Sequence, residues 1–240
     1  MTTQFNIGAS GLTAYQEKLD VAANNIANID TNAYKPQGTS FSDLMYTKMY
    51  ANTSNSLLSG NGVKTTVTGV DTTQGGMTPT ESKNDLAIQG DGWFAVETQN
   101  GNLYTRDGSF TVSVLEDKAY LVNRAGNFVL DAKGKKISAP IVNGSAESTL
   151  TDNVGVYTFA DSEALTPVSN NCFQANNLSG NATALADSKG KILSGYLEQS
   201  GVSMPDEMVN LITAQRAYQI SARVIQSADE ISQTVNSLRV

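Results

Sequence analysis

Residues 5–29 have the sequence FNIGASGLTAYQEKLDVAANNIANI, and the spacing of their apolar residues indicates how this end of the chain folds. Small and apolar residues recur there at alternating steps of three and four, which is the spacing of a coiled-coil seam. The members of this N-terminal seam are Phe5, Gly8, Leu12, Tyr15, Leu19, Ala22, Ile26 and Ile29. We therefore predict a helix over residues 3–29 that packs along a narrow stripe against a partner helix. A surface helix that lies on its own globular domain is the alternative.

The C-terminal end of the chain shows a second seam with the same spacing. Its members are Ala217, Ile220, Val224, Ala228, Ile231, Val235 and Leu238. Ser203 and Asp206 resemble a capping box at the start of this pattern, and Pro205 suits a first helical turn. No breaker interrupts the pattern before its end, so we predict a helix on the order of 50 Å long. We expect the two terminal helices to pair as a coiled-coil-like domain.

The region between residues 81 and 202 has the pattern of an antiparallel β module. Short runs that are rich in aromatic and β-branched residues alternate with turn dipeptides. The predicted strands are Leu86–Ile88, Trp93–Glu97, Leu103–Thr105, Phe110–Leu115, Ala119–Val122, Phe128–Leu130, Val154–Phe159 and Ile192–Leu197. The predicted turns are Asp91-Gly92, Asn100-Gly101, Asp107-Gly108, Ala125-Gly126 and Lys133-Gly134. Asn-Gly between two strand patterns is the strongest short signal for a hairpin.

Residues 36–80 are polar and rich in Gly, Ser, Thr and Asn, which indicates an extended linker region. Within it, residues 63–70 alternate like a strand, and residues 52–62 have the composition of a loop. The predicted fold class is α+β. The predicted domains are a discontinuous helical assembly domain of residues 1–35 and 203–240, the linker of residues 36–80, and an outer β-rich module of residues 81–202.

Composition excludes several classes of function. The chain has no histidine and a single cysteine, Cys172, so Ser–His and Cys–His catalysis, histidine-ligated zinc and an internal disulfide are excluded. A net charge of −7 without a long basic run argues against a nucleic-acid partner. No apolar run approaches the length of a membrane span, and the first residues lack the pattern of a secretory signal peptide. We expect a protein that stays in the cytoplasm or leaves it without a cleavable signal.

Two short motifs contain residue types that also occur in ligand-binding or catalytic sites. Gly90-Asp91-Gly92 resembles part of a phosphate-binding loop, but the pattern continues as a strand where the dinucleotide fingerprint requires a helix. A tight hairpin turn is the better interpretation. The stretch Thr105-Arg106-Asp107-Gly108 is interpreted as a turn with a local ion pair, because neither Asp91 nor Asp107 has a base or an apolar pocket beside it in the pattern. We expect no catalytic, cofactor-binding or metal-binding residue.

Three regions of the chain together resemble the bacterial flagellar rod and hook proteins. Residues 11–35, GLTAYQEKLDVAANNIANIDTNAYK, are similar to the family's N-terminal signature, in which a Leu-Asp-x-x-Ala-Asn-Asn-hydrophobic-Ala-Asn core precedes Thr-x-Gly/Ala-Tyr/Phe-Lys. Residues 85–94, DLAIQGDGWF, and 104–110, YTRDGSF, resemble its β module. EMVNLI at residues 207–212 and QRAY at 215–218 resemble its C-terminal helix. The matches follow the family's order along the chain.

The resemblance implies a structural subunit of the flagellar axial structure, a hollow helical tube that transmits torque. It implies copies of this chain and other rod and hook proteins as partners, export through the flagellum's own export apparatus, and a place in the basal body across the cell envelope. It implies neither a nucleic-acid partner nor membrane insertion. The chain is short for a hook protein, which favours a rod subunit over a hook subunit. Gly201 stands where the family often has Asn. A secreted β-rich binding module or a hydrolase is the alternative class.

The predicted assembly interface combines both seams with the family-like part of the C-terminal helix. Its residues are Phe5, Leu12, Tyr15, Leu19, Ala22, Ile26, Ile29, Met208, Leu211, Tyr218, Ile220, Val224, Ile231, Val235 and Leu238. Helices with exposed apolar stripes at both ends of a β module are typical of a subunit that assembles with other copies.

Overall fold

The computed structural model describes residues 2–49, 57–99, 101–115, 118–142, 145–146, 148–185 and 192–238. Contacts between backbones divide the chain into two compact units. Unit 1 comprises Met1–Ala27, Gln37–Thr68 and Ser203–Val240, and unit 2 comprises Asn28–Pro36 and Gly69–Val202. The chain therefore passes between the units after residues 27, 36, 68 and 202. The division into assembly domain, linker and outer module stays a prediction.

Unit 1 contains both long terminal helices, as predicted: α1 is Thr2–Ala27 and α2 is Met204–Ser237. The predicted capping box of α2 is wrong, because the Ser203 side chain makes no capping hydrogen bond. Ser203 is nevertheless the N-cap residue, as predicted, and its carbonyl accepts the first bond of the helix from the Glu207 N–H at 3.0 Å. Proline at the start of α2 fixes a helical φ without losing a needed donor, and two acidic residues in the first turn favour the positive end of the helix.

Glycine sets how closely α1 and α2 approach each other. A Cβ atom added at Gly8 would lie 2.7 Å from Cγ1 of Ile225, and one at Gly11 would lie 3.3 Å from Oγ of Ser221. Positions that rise along α1 meet positions that fall along α2, so the two helices are antiparallel. Each glycine costs a helix interior about 1 kcal/mol, and here it permits close backbone approach.

The remainder of unit 1 consists of short strands. β1 (Gln37–Asp43) pairs with β4 (Val63–Val70), and β2 (Thr47–Met49) pairs antiparallel with β3 (Leu57–Ser59). The strand predicted at residues 63–70 is confirmed, and its last two residues belong to unit 2. The loop prediction is wrong for β3, which is ordered by its pairing with β2. Residues 52–56 of that predicted loop lie outside the described residues.

Unit 2 is antiparallel and β-rich, which confirms the predicted central module and the α+β class. Its strands are β5 (Met77–Pro79), β6 (Leu86–Ile88), β7 (Trp93–Thr98), β8 (Gly101–Thr105), β9 (Thr111–Leu115), β10 (Lys118–Val122), β11 (Phe128–Val129), β12 (Ser138–Val142), β13 (Ser145–Ala146), β14 (Val156–Thr158), β15 (Thr166–Ser169), β16 (Cys172–Gln174), β17 (Thr183–Ala184), β18 (Ile192–Ser194) and β19 (Tyr196–Glu198). A short 3-10 helix spans Ser148–Asn153.

The largest sheet of unit 2 has the order β13-β12-β10-β11-β7-β8-β16-β15, with β9 on β10, β14 on β7 and β17 on β14. β7 and β8 pair through Thr98 and Gly101, around the predicted Asn100-Gly101 turn, whose Asn100 lies outside the described residues. Two separate ladders join β6 to β18 and β5 to β19. The strand predicted at residues 192–197 is therefore two strands, which Gly195 separates at a φ of 79°.

The hairpin predicted at Gly90-Asp91-Gly92 is wrong. β6, before the turn, pairs with β18, whereas β7, after it, lies in the largest sheet. Gly90 has a φ of 88° and Gly92 a φ of 153°, which are conformations that L side chains rarely adopt. The two glycines therefore allow the backbone to turn from the β6–β18 ladder into the largest sheet.

The core of unit 2 lies on both faces of β7. Phe94 and Val96 pack into one hydrophobic cluster, while Trp93 and Ala95 pack into the other. This alternation is the period of two that a strand imposes on its side chains. Edge-on aromatic contacts reinforce both clusters, with Phe94 5.2 Å from Phe110 between ring centroids. Each large buried side chain contributes about 1.5–3 kcal/mol.

Candidate assembly surfaces and a buried ion network

α2 presents an apolar stripe to solvent along most of its length. Its residues, which are 42–81% exposed, are Val209, Ile220, Val224, Ile231, Val235 and Leu238. At about 100° per residue, this stripe lies roughly a quarter turn from Ala214, which is the buried position of α2. Of the other predicted interface residues on α2, Met208 is exposed, and Leu211 and Tyr218 are half-buried. Packing within unit 1 thus leaves the predicted C-terminal seam uncovered.

The buried face of α1 coincides with the predicted seam only at Gly8 and Ala22. Its buried residues are Gly8, Gly11, Ala14, Ala22 and Asn25. Of the predicted interface residues on α1, Ala22 is buried, Leu12, Tyr15, Leu19 and Ile26 are half-buried, and Phe5 is 52% exposed. Ile29 follows the helix in unit 2 and is half-buried. The larger apolar side chains retain exposed area, and their role as an interface between subunits stays a prediction.

Asn25 links three elements within unit 1. Its Nδ2 donates to the Gln37 carbonyl at 2.9 Å and to Oε1 of Glu207 at 2.8 Å, while its Oδ1 accepts from the Gln37 N–H at 3.2 Å. The side chain therefore binds both backbone groups of Gln37, as a neighbouring strand would. Asn25 is 1% exposed, so these bonds satisfy polar groups at a site where water has little access.

A buried ion network lies within unit 2. Nζ of Lys35 is 2.6 Å from Oε1 of Glu198, and Nη1 of Arg106 is 3.4 Å from Oε2 of the same carboxylate. These side chains are 0–2% exposed. The predicted local ion pair at Arg106 is wrong, since its partner lies 92 positions away along the chain. Removing one partner of such a buried pair costs about 3–5 kcal/mol, because it leaves an uncompensated charge.

Two cations share the one carboxylate of this network. The Arg106 guanidinium lies 5.6 Å from the centroid of Trp93, whose ring face attracts positive charge. Nε of Arg106 is buried and has no hydrogen-bond partner within the described part of the chain. Burial lowers the pKa of Lys35, and its hydrogen bond to Glu198 opposes that shift. The carboxylate is what holds both cations in a site that excludes water.

Sequence reasoning missed this network. Lys35 and Arg106 lie in stretches that resemble the rod and hook proteins. The resemblance singles out these residues, but it does not indicate that their side chains are buried. Glu198 lies in none of those stretches, and an isolated carboxylate near the end of a strand pattern carries no signal of its own. Its role became evident only from the side chains that surround it.

The described residues contain no group of three or more Cys, Asp or Glu side chains arranged to hold a metal ion. In that same part of the chain, neither helix is long and apolar enough to cross a membrane.

Similarity to known proteins covers nearly the whole chain. Family models match residues 5–35 (flagella basal body rod protein), 87–156 (flagellar hook protein FlgE/F/G D1 domain) and 193–238 (flagellar basal body rod FlgEFG protein C-terminal). The flagellar basal-body rod protein FlgG of Agrobacterium fabrum is 34% identical, over 96% of this chain and 97% of the relative. The chain belongs to the flagellar rod and hook protein family. Its similarity to FlgG of Bacillus subtilis is 31% over 97% of both chains, and to FlgF of Mesorhizobium japonicum 30% over 99% of both.

The family matches bear directly on the buried network of this rod and hook family member. Lys35, Arg106 and Glu198 each fall in a different matched region. The network therefore joins three segments that are recognised separately along the chain. The resemblance inferred from the sequence is confirmed.

Proposed function

We propose that this chain is a structural subunit of the flagellar basal-body rod. The observation that carries the proposal is its similarity, over nearly its full length, to proteins named as flagellar basal-body rod proteins. The relatives are structural, and the role of this chain is likewise structural and not enzymatic. Because these relatives are rod proteins, they favour the rod over the hook.

The subunit acts by polymerising through its terminal helices. The exposed stripe of α2 and the half-buried apolar residues of α1 support this proposal, since large exposed apolar surfaces mark interaction sites. Helices of neighbouring copies cover these stripes in coiled-coil-like packing. Burying the exposed part of one Val or Ile side chain contributes about 1 kcal/mol, so several such residues per subunit offset part of the cost of association.

The geometry of assembly follows from contacts between different surfaces. One face of a subunit meets a different face of the next, and repeated heterologous contacts of that kind generate a helical array instead of a closed dimer. The array is a hollow tube that transmits torque and through which more distal subunits pass. Its other partners are rod and hook proteins and the flagellar export apparatus. The proposed place of the subunit is the flagellar basal body, across the cell envelope.

A matched pair of charge substitutions tests the role of the helix surface. Ile220→Asp introduces a carboxylate into the exposed stripe, and Gln226→Asp introduces the same carboxylate at an exposed position on another face of α2. Both variants should fold, because both sites are solvated in the free chain. Only Ile220→Asp should fail to polymerise, since burying an unpaired carboxylate costs several kcal/mol.

Circular dichroism of the monomer and electron microscopy of the polymer provide the two measurements. Normal rods from Ile220→Asp would show that the stripe is not an interface. Loss of assembly by both variants to the same degree would also contradict the proposal, because it would assign the effect to charge alone.

A further inference from the structure

Three segments of unit 2 adjoin the points where the chain passes to or from unit 1. They are residues 28–36, 69–76 and 198–202. Backbone hydrogen bonds tie each of these junction segments to the others. The bonds run from Ala33 N to Glu198 O (2.8 Å), Asp71 N to Pro36 O (2.9 Å), Gln199 N to Gly76 O (2.7 Å) and Gly201 N to Tyr34 O (2.9 Å). The junction segments therefore meet in one place.

The carboxylate of Glu198 lies at the centre of these bonds. Its Oε1 accepts from Nζ of Lys35 at 2.6 Å and from the Gly75 N–H at 2.9 Å, and its Oε2 accepts from Arg106. Nζ of Lys35 also donates to the carbonyl of Thr73. One buried carboxylate thus contacts all three junction segments and, through Arg106, the end of β8.

The junction segments adopt backbone geometry that needs external support. Ala33 has a φ of 53°, in the left-handed region that costs an L residue roughly 1 kcal/mol or more. A Cβ atom added at Gly75 would lie 2.3 Å from the carbonyl oxygen of Gln199, so the two segments touch through their backbones. Such geometry persists where the surroundings determine it.

The hydrophobic core of unit 2 has a separate origin. It consists of the two clusters on the faces of β7, and the pairing of β7 with β8 runs over five residue pairs. The junction segments contribute Val70 to these clusters, while their mutual bonds are polar. Apart from Val70 and the contact of Arg106 with Trp93, core and junction thus depend on different interactions.

We propose that Glu198, Lys35 and Arg106 form a clamp that fixes the three junction segments in place, and that the β core folds without this clamp. The proposal concerns the free subunit, and its test needs no assembly. The role of the clamp in an assembled subunit rests on the proposed function. There the clamp holds the junction segments at fixed positions, where mechanical load enters and leaves unit 2.

Hydrogen–deuterium exchange of the full-length monomer, read by peptide mass spectrometry, tests the clamp. Glu198→Ala should accelerate exchange in the junction segments on the order of a hundredfold, because it leaves two buried cations unpaired. The reporting amides are those of Ala33, Gln199 and Gly201. Amides within β7 and β8 should keep their protection. The matched control is Glu97→Ala, which removes a carboxylate from the exposed pair with Lys136 and should change neither group.

A second variant separates clamping from folding. Should Glu198→Ala lose protection throughout unit 2, the triple variant Lys35→Met/Arg106→Met/Glu198→Leu removes the charges together. The proposal is supported if, in either variant, the amides of β7 and β8 stay protected from exchange while those of the junction segments exchange fast. Slow junction exchange in either variant overturns it, because the backbone bonds then hold without the ion network. A triple variant with an unprotected core overturns it as well, since the core then depends on the clamp.

Discussion

Substitution of Asn25 by leucine should destabilise unit 1 and leave unit 2 unaffected. Leucine has a similar size but removes the two hydrogen bonds to Gln37 and the one to Glu207. The neutral bonds contribute about 1 kcal/mol each and the bond to a carboxylate about 1.5–3 kcal/mol. Because Gln37 and Glu207 are half-buried, water replaces part of the loss. The free energy of unfolding of unit 1 should fall by about 2–4 kcal/mol.

The two units can be followed separately during denaturant unfolding. Helical circular dichroism reports mainly on unit 1, which contains both helices, and the single tryptophan, Trp93, reports on unit 2 by fluorescence. The helical transition of Asn25→Leu should move to lower denaturant while the fluorescence transition stays in place. The control is Gln16→Leu, at an exposed position of the same helix. Equal shifts for the two variants would refute the reasoning, as would a shift confined to the fluorescence signal.

The remaining predictions concern helix packing and the lone thiol. Gly8→Val should lower the free energy of unfolding of unit 1 by roughly 1–3 kcal/mol, because its Cβ would lie 2.7 Å from Cγ1 of Ile225. Thermal unfolding followed by helical circular dichroism measures this change. An unchanged or raised midpoint would contradict close packing of the two helices. Burial raises the pKa of Cys172 to about 11, so at about pH 8 only about one thiol in a thousand is ionised. Alkylation should be slow in the native protein and fast after unfolding, and rapid native labelling would show that the thiol is accessible.

Local patterns in the sequence predict both helices, many of the strands and the family. Alternating steps of three and four predict both terminal helices, because a helix repeats every 3.6 residues and marks its own faces. Short runs rich in aromatic and β-branched residues predict β6 to β11, β14, β18 and β19 of unit 2, because such residues favour strands locally. Short motifs at both ends and in the middle carried the resemblance to the rod and hook proteins, since they are read without knowledge of any contact.

Which faces and which charges are buried depends on contacts between segments that are distant along the chain. The N-terminal pattern does not distinguish the stripe that contains Leu12 from the neighbouring stripe with Gly11 and Ala14. The second stripe is the buried one, because its smaller side chains allow α1 to approach α2 closely. Pairing partners such as Ile88 and Ile192 are remote along the chain, so no local signal separates β6 from the largest sheet. Periodicity is a property of neighbouring residues. Desolvation of a carboxylate such as that of Glu198 depends on segments that only folding brings together.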